Sequence, residues 1–244
     1  MFRKLFSIIY FNYELMKYKI RVKELSNVIK AKKEELHKHL KPNTIWLDLG
    51  CGSGIHSRLL ERMGLNVVSV DIAKTISFPL SNFIIANAEF LPFRTEIFKV
   101  IIVSHMLEHV RNKMKVLKEI YRVLAPDGIL ILVVPTIIFK LMTMLLWPRI
   151  ALIRIFTSKK RVLRGLLDIL RPGVHGAYNN HRQEIASYRI QSWLVLLERA
   201  GFNVIEHFSI YPDSIVLPLN PLMHYICIRH LKVSTSYLIM CIKR

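Results

Sequence analysis

Short apolar runs recur through the middle of the chain, each stopping at a glycine, an acid or a proline and most followed by residues at helical spacing. The first, Ile45-Trp46-Leu47-Asp48-Leu49, ends at Gly50-Cys51-Gly52-Ser53-Gly54, after which Ile55, Leu59 and Leu60 mark one face of a helix reaching Met63. A second run, Asn66 to Val70, ends in Asp71, and a third, Lys99 to Val103, leads into an amphipathic helix at about Lys113 to Leu124. Ala125-Pro126-Asp127-Gly128 reads as the turn that closes this helix, and Ile129 to Val134 as the next strand. Farther on, Ser192 to Arg199 is a helix closed by Ala200-Gly201-Phe202, and Val204 to Ile210 and Ser236 to Ile242 are strands. Near-continuous apolar strands alternating with helices predict an α/β fold, a parallel sheet covered on both faces.

The glycine loop changes this picture from a fold to a site. It must turn sharply while its backbone passes close to a ligand, leaving amide groups and a helix N-terminus facing that ligand. Asp71 stands 17 residues after Gly54, where an acid at the end of the second strand accepts hydrogen bonds from the two ribose hydroxyls of a nucleoside. A dinucleotide cradle requires its third glycine at position 55, which is Ile55; the loop is Gly-x-Gly-x-Gly, with Asp48 two residues ahead of it. The spacing therefore disfavours a pyrophosphate.

Leu47-Asp48-Leu49-Gly50-Cys51-Gly52-Ser53-Gly54 followed by Asp71 resembles the first two motifs of class I S-adenosylmethionine-dependent methyltransferases. Asn87-Ala88-Glu89-Phe90-Leu91-Pro92-Phe93 is similar to the family's Asp-Ala-Glu-x-Leu-Pro-Phe stretch, with Asn87 in place of the acid that reads the adenine amino group. Ser104-His105-Met106-Leu107-Glu108-His109-Val110 resembles the segment after the fourth strand, and Ala125 to Gly128 the Leu-x-Pro-Gly-Gly turn, with Asp127 replacing a glycine. The resemblance covers residues 44–135, and more weakly 183–210 and 234–244. It implies a doubly wound, seven-stranded, mostly parallel Rossmann-like sheet whose last two strands form an antiparallel hairpin at one edge. The implied cofactor is S-adenosylmethionine, held by Asp48, Gly50, Cys51, Gly52, Gly54, Asp71, Ile72, Asn87, Ala88 and His105. Within that set Asp48 is expected to orient the methionine amino group and Asp71 the ribose; His105 either borders the cofactor or caps the next helix.

Methyl transfer from a sulfonium needs alignment and shielding, and a base only where the acceptor holds its proton tightly. His109 and His181 are the candidate bases, since an imidazole accepts a proton near neutral pH. No metal is required, and no Cys/His cluster shows ligand spacing; His37 and His39 read as part of a solvated, lysine-rich helix face.

Charge and hydropathy then single out two further segments. The net charge is +19, and residues 1–43 and 136–182 carry +7 and +8 of it. Residues 1–43 read as an N-terminal helical cap, with Leu25, Val28, Ile29, Leu36 and Leu40 as its packing stripe; residues 44–244 read as the methyltransferase domain, with a hydrophobic, basic insertion at 136–182. Thr136 to Phe156 holds only Lys140, Arg149 and Arg154 as charges, and Lys159-Lys160-Arg161, Arg164 and Arg171 follow at once. Apolar surface beside cations is the composition of an element that lies on an anionic membrane, or of a lid over the acceptor; Pro135 and Pro148 bracket too few residues for a bilayer span. Leu217 to Leu231 could extend the same surface. Three cysteines in no Cys-x-x-Cys pair suit a reducing compartment, and the start of the chain lacks a signal-peptide cleavage site. The expectation is a cytoplasmic enzyme, peripheral on the inner face of a membrane, that methylates a small or lipid-linked acceptor. RNA methylation is the first rival, disfavoured because the basic insertion is aliphatic where base stacking needs aromatics. A non-catalytic cofactor-binding scaffold is the second.

Overall fold

The computed structural model describes residues 36, 39–41, 43–74, 76, 79–142, 144, 145, 173–210 and 234–244. They form β1 (Ile45–Leu49), α1 (Ile55–Arg62), β2 (Asn66–Asp71), β3 (Phe83–Ile85), β4 (Phe98–Ser104), a single 3-10 turn (Leu107–His109), α2 (Lys113–Val123), β5 (Leu124–Pro135), α3 (His181–Ser187), α4 (Ile190–Arg199), β6 (Phe202–Ile210) and β7 (Ser236–Lys243). The seven strands lie in the order β3-β2-β1-β4-β5-β7-β6. The first five are mutually parallel, and β7 runs antiparallel between β5 and β6. This is the doubly wound, Rossmann-like sheet with an antiparallel hairpin at its edge.

Alternation explains why the strands read as unbroken apolar runs. Successive side chains point to opposite faces, and both faces are covered. On β4, Ile101 and Val103 enter one core with Leu117 and Ile120 of α2 and Trp193 and Leu197 of α4; Val100 and Ile102 enter the other with Trp46, Leu60 and Leu36. Strand order reverses between β1 and β4, so the loops leaving their carboxyl ends flank the crevice where open α/β sheets bind ligands.

Two local expectations are corrected, at Ala125 to Gly128 and at His39, and two placements are new. Ala125 to Gly128 continues β5 rather than forming a separate turn, and the extra residues appear as a register shift opposite Phe98 and Val100. The edge strand β3 has three half-buried or exposed residues, too few to show a period. His181 opens α3, which the Asn180 side chain caps by accepting from Gln183 N, and so stands ahead of α4, the helix closed by Ala200-Gly201-Phe202. His39 is buried, and its carbonyl accepts from the Trp46 indole at 3.1 Å, so it does not lie on a solvated face; His37 lies outside the described residues.

Of the N-terminal stripe, Leu36 is fully buried and Leu40 packs beside it; Leu25, Val28 and Ile29 lie outside the described residues. In the insertion, residues 137–142, 144 and 145 are helical, with Phe139 and Lys140 buried and Ile138, Leu141 and Leu145 exposed. The cationic run 159–171 and the apolar run 217–231 lie outside the described residues. Among the described residues no helix is long and apolar enough to cross a membrane.

Candidate cofactor and acceptor site

The loop after β1 is held from beneath. Gly50 N and Cys51 N donate to Val70 O at 2.8 and 3.1 Å, and Gly54 N donates to Cys51 O at 2.9 Å. Gly50, Gly52 and Gly54 have φ of +76°, +53° and +81°, the left-handed region that a Cβ disfavours. Their surroundings differ. A side chain at Gly50 would run into Met106, and one at Gly54 into Leu80, whereas a Cβ at Gly52 meets no atom of the described residues within 4 Å. Gly52 is thus the point where the loop backbone opens onto space that a ligand can fill.

The two acids divide between support and display. Asp48 is buried, and its Oδ2 accepts from Ser57 N at 3.0 Å and Ser57 Oγ at 2.5 Å. Because Gly54 brings no capping side chain to α1, this carboxylate satisfies an N–H of the first turn from across the loop, where the helix dipole favours negative charge. Asp71 is half-exposed: its Oδ2 accepts from Gly52 N at 2.8 Å and its Oδ1 from Ala73 N at 3.1 Å. The Cys51 thiol is buried between them, and burial together with both carboxylates pushes its pKa far up, so it is not a nucleophile. Ile72 is 72% exposed, Ala88 is half-buried, and Asn87 is exposed with its Oδ1 accepting from Glu89 N at 2.9 Å.

The carboxyl end of β4 gathers a second group. His105, at φ +51°, lies between Ser236 Oγ (Nε2, 3.3 Å) and Glu108 Oε1 (Nδ1, 3.4 Å); its neighbour Met106 lies against Gly50. Glu108 is fully buried, and His109, 48% exposed by its side chain, brings Nε2 to 4.0 Å from the same oxygen. Burial opposes the Glu108 charge, but His105 and then His109 outweigh it and hold the carboxyl below its ordinary range. His175 comes from the far side of the insertion and packs edge-to-face on His109 at 4.7 Å. Burial, reinforced by His109, lowers its pKa to about 4 and keeps the ring neutral.

His181 does not join this group. Its Nδ1 lies 3.5 Å from Glu184 Oε2, which also takes the Lys140 ammonium at 2.7 Å, with Lys140 and Glu184 both fully buried. Tyr188 lies between the two carboxylates; burial and then Glu108 and Glu184 drive its pKa far up, so its hydroxyl stays protonated and donates to His175 O at 3.1 Å. The sequence reading missed Met106, Glu108, His175 and Tyr188. Only the i, i+3 spacing of His105 and Glu108 could have flagged any of them, since His175 lies 66 residues beyond His109.

A family model described as "Methyltransferase domain" matches residues 21–207. The chain belongs to that family. Its cofactor there is S-adenosylmethionine, and the open floor at Gly52 beside Asp71 and the exposed Ile72 fits such a nucleoside. An uncharacterised protein of Methanocaldococcus jannaschii is 37% identical over 110 residues, 44% of this chain and 43% of that protein. A ubiquinone biosynthesis O-methyltransferase of Parvibaculum lavamentivorans is 33% identical over 95 residues, 35% of this chain and 38% of that protein. The mouse mitochondrial arginine-hydroxylase NDUFAF5 is 32% identical over 93 residues, 35% and 27% of the two chains. The chain thus spans less than half the length of these curated relatives. A solved S-adenosylmethionine-dependent methyltransferase of Mesorhizobium loti shares the fold with TM-score 0.53 at 14% identity, covering 87% of this chain and 98% of its own. The [4+2]-cyclase SpnF shares it with TM-score 0.54 at 14% identity, covering 88% and 80%.

Proposed function

We propose that this protein transfers the methyl group of S-adenosylmethionine to a small or lipid-linked acceptor at the face of a membrane. The observation that carries the reading is the left-handed glycine loop whose one open position, Gly52, is tied directly to the Asp71 carboxylate. When bound, S-adenosylmethionine supplies a methyl group already activated on a sulfonium, so no group of the protein has to generate the electrophile. Each Asp71 oxygen accepts from one backbone amide and keeps a second acceptor direction for a ribose hydroxyl. Ile72 offers an apolar platform to the adenine ring, with Asn87 and Ala88 along its edge. Asp48 acts on the methionine end through the loop it caps, by way of Ser57. His105 braces the wall of the crevice from Glu108 to Ser236. His109, where no metal ion holds its ring, is the better placed of the two candidate bases: it is half-exposed after the end of β4, with Nε2 4.0 Å from buried Glu108. His181 has an equivalent carboxylate in Glu184 but belongs to a separate cluster.

Two facts favour a lipid-linked acceptor. Two curated relatives are named for ubiquinone or menaquinone biosynthesis, compounds with long apolar tails. The helical start of the insertion also exposes Ile138, Leu141 and Leu145 just ahead of a cationic run. A second reading comes from the arginine-hydroxylase relatives and the cyclase neighbour, which show that this fold is also found under names of other reactions. The deciding experiment incubates the purified chain with label-bearing S-adenosylmethionine and a lipid extract. Label in an extractable product one methylene heavier than its precursor supports methyl transfer, and binding without turnover supports a scaffold.

Three expected results belong to this reading. Gly52→Ala should lower cofactor affinity at least ~10-fold, because the new methyl group fills open space, while the left-handed φ costs only about 1–2 kcal/mol of stability. Calorimetry and a melting curve separate the two effects. Asn87→Asp should bind the cofactor as well as the wild type, since both side chains accept from Glu89 N and from an adenine amino group; Asn87→Leu should bind more weakly. Vesicle sedimentation should show more binding to anionic than to neutral lipid, fading with salt, because each Lys or Arg near such a surface contributes about 1 kcal/mol. Replacing residues 137–171 by a short linker should abolish it, and unchanged vesicle binding would move the contact elsewhere.

A further inference from the structure

We propose that Glu108, His109 and His175 form a binding site for one divalent first-row metal ion, of the zinc type, next to the acceptor side of the crevice. One ligand atom from each of the three lies within 4.8 Å of the others. Two imidazoles and a carboxylate are a donor set that zinc favours, and three protein ligands leave a fourth tetrahedral position to water.

An independent observation points the same way. Glu108 is completely buried, yet neither carboxylate oxygen has a hydrogen-bond partner among the described residues. His105 and His109 approach Oε1 at 3.4 and 4.0 Å, which are ion-pair distances without hydrogen-bond alignment. A buried carboxylate with both oxygens unbonded is costly unless a cation shares its site. Among the described residues, Lys140 and Lys113 are engaged elsewhere, Lys140 with Glu184 at 2.7 Å and Lys113 with Val110 O at 3.0 Å.

The backbone holds the ligands in place. Ala177 N donates to Glu108 O at 2.9 Å, and the approach is so close that a Cβ on the intervening Gly176 would stand 2.5 Å from that same oxygen. Tyr188 Oη holds the His175 carbonyl. Ligands 2.0–2.2 Å from an ion lie about 3.3–3.6 Å apart, and the remaining contraction falls to the half-exposed His109 ring. The ion would fasten the last part of the insertion to the end of β4.

The test uses the full chain, stripped with a chelator and titrated with zinc chloride alone. One equivalent should bind with micromolar or tighter affinity and raise the melting temperature. His175→Ala and Glu108→Gln should each weaken binding at least ~10-fold and remove the thermal shift. If either variant loses its cooperative melting transition, His109→Ala at the half-exposed position takes its place with the same expected loss. Absence of saturable one-equivalent binding by the wild type overturns the site, as does binding by folded variants with wild-type affinity.

Discussion

Replacing Asp71 with alanine is expected to weaken S-adenosylmethionine binding by about 2–4 kcal/mol, that is roughly 30- to 1,000-fold, with little change in the melting temperature. Charge-assisted bonds to two ribose hydroxyls account for most of this. The structure adds a second contribution: Asp71 Oδ2 is the acceptor for Gly52 N, so the variant also releases the one loop position that faces open space. Asp71→Asn should fall between the two, because an amide keeps one acceptor oxygen. Calorimetric titration with the cofactor and with its demethylated product measures both variants. A wild type that binds neither, or an alanine variant of equal affinity, would remove the ribose role from Asp71 and with it the central support for the proposed function.

The largest effect on stability is expected at the buried Lys140–Glu184 pair. Lys140 and Glu184 are 1% and 0% exposed by their side chains and 2.7 Å apart. Removing one member of such a pair leaves an uncompensated charge in the interior, which costs about 3–5 kcal/mol. Glu184→Leu should therefore lower the melting temperature by about 10 °C or more in a chain of this size. The double variant Lys140→Met with Glu184→Leu should recover most of the loss, since the desolvation cost disappears with the charges. Chemical denaturation of the single and double variants gives the coupling between the two sites. A single variant as stable as the wild type would show that Lys140 reaches solvent on breaking the pair. The pair also ties the first turns of the insertion to α3, so cofactor affinity should be unchanged, its loop lying on other strands.

Much of the fold was legible because each strand end coincided with chemistry that the chain must show locally. Gly50, Gly52 and Gly54 had to be glycines for three left-handed positions in five residues, and Asp71 had to stand at the end of the strand beside them. The same locality explains the corrections. Ala125-Pro126-Asp127-Gly128 carries turn residues, but the neighbouring strand absorbs them as a shift in register. His39 belongs to a lysine-rich stretch, yet Trp46 draws its backbone into the core. Asp48, two residues ahead of the loop in sequence, is seen in space to cap α1 through Ser57, a contact that no local pattern announced.

The sequence by itself determined the alternation of strand and helix, the position of the glycine loop and its acid, and the family, since these depend on residues within a few positions of one another. Only the tertiary structure decided which ionisable groups meet. Glu108, His109 and His175 converge because the last part of the insertion returns to the end of β4, and Lys140 finds Glu184 across 44 residues. Periodicity records which face of an element is buried, but nothing local to the chain records what a buried charge will be buried against.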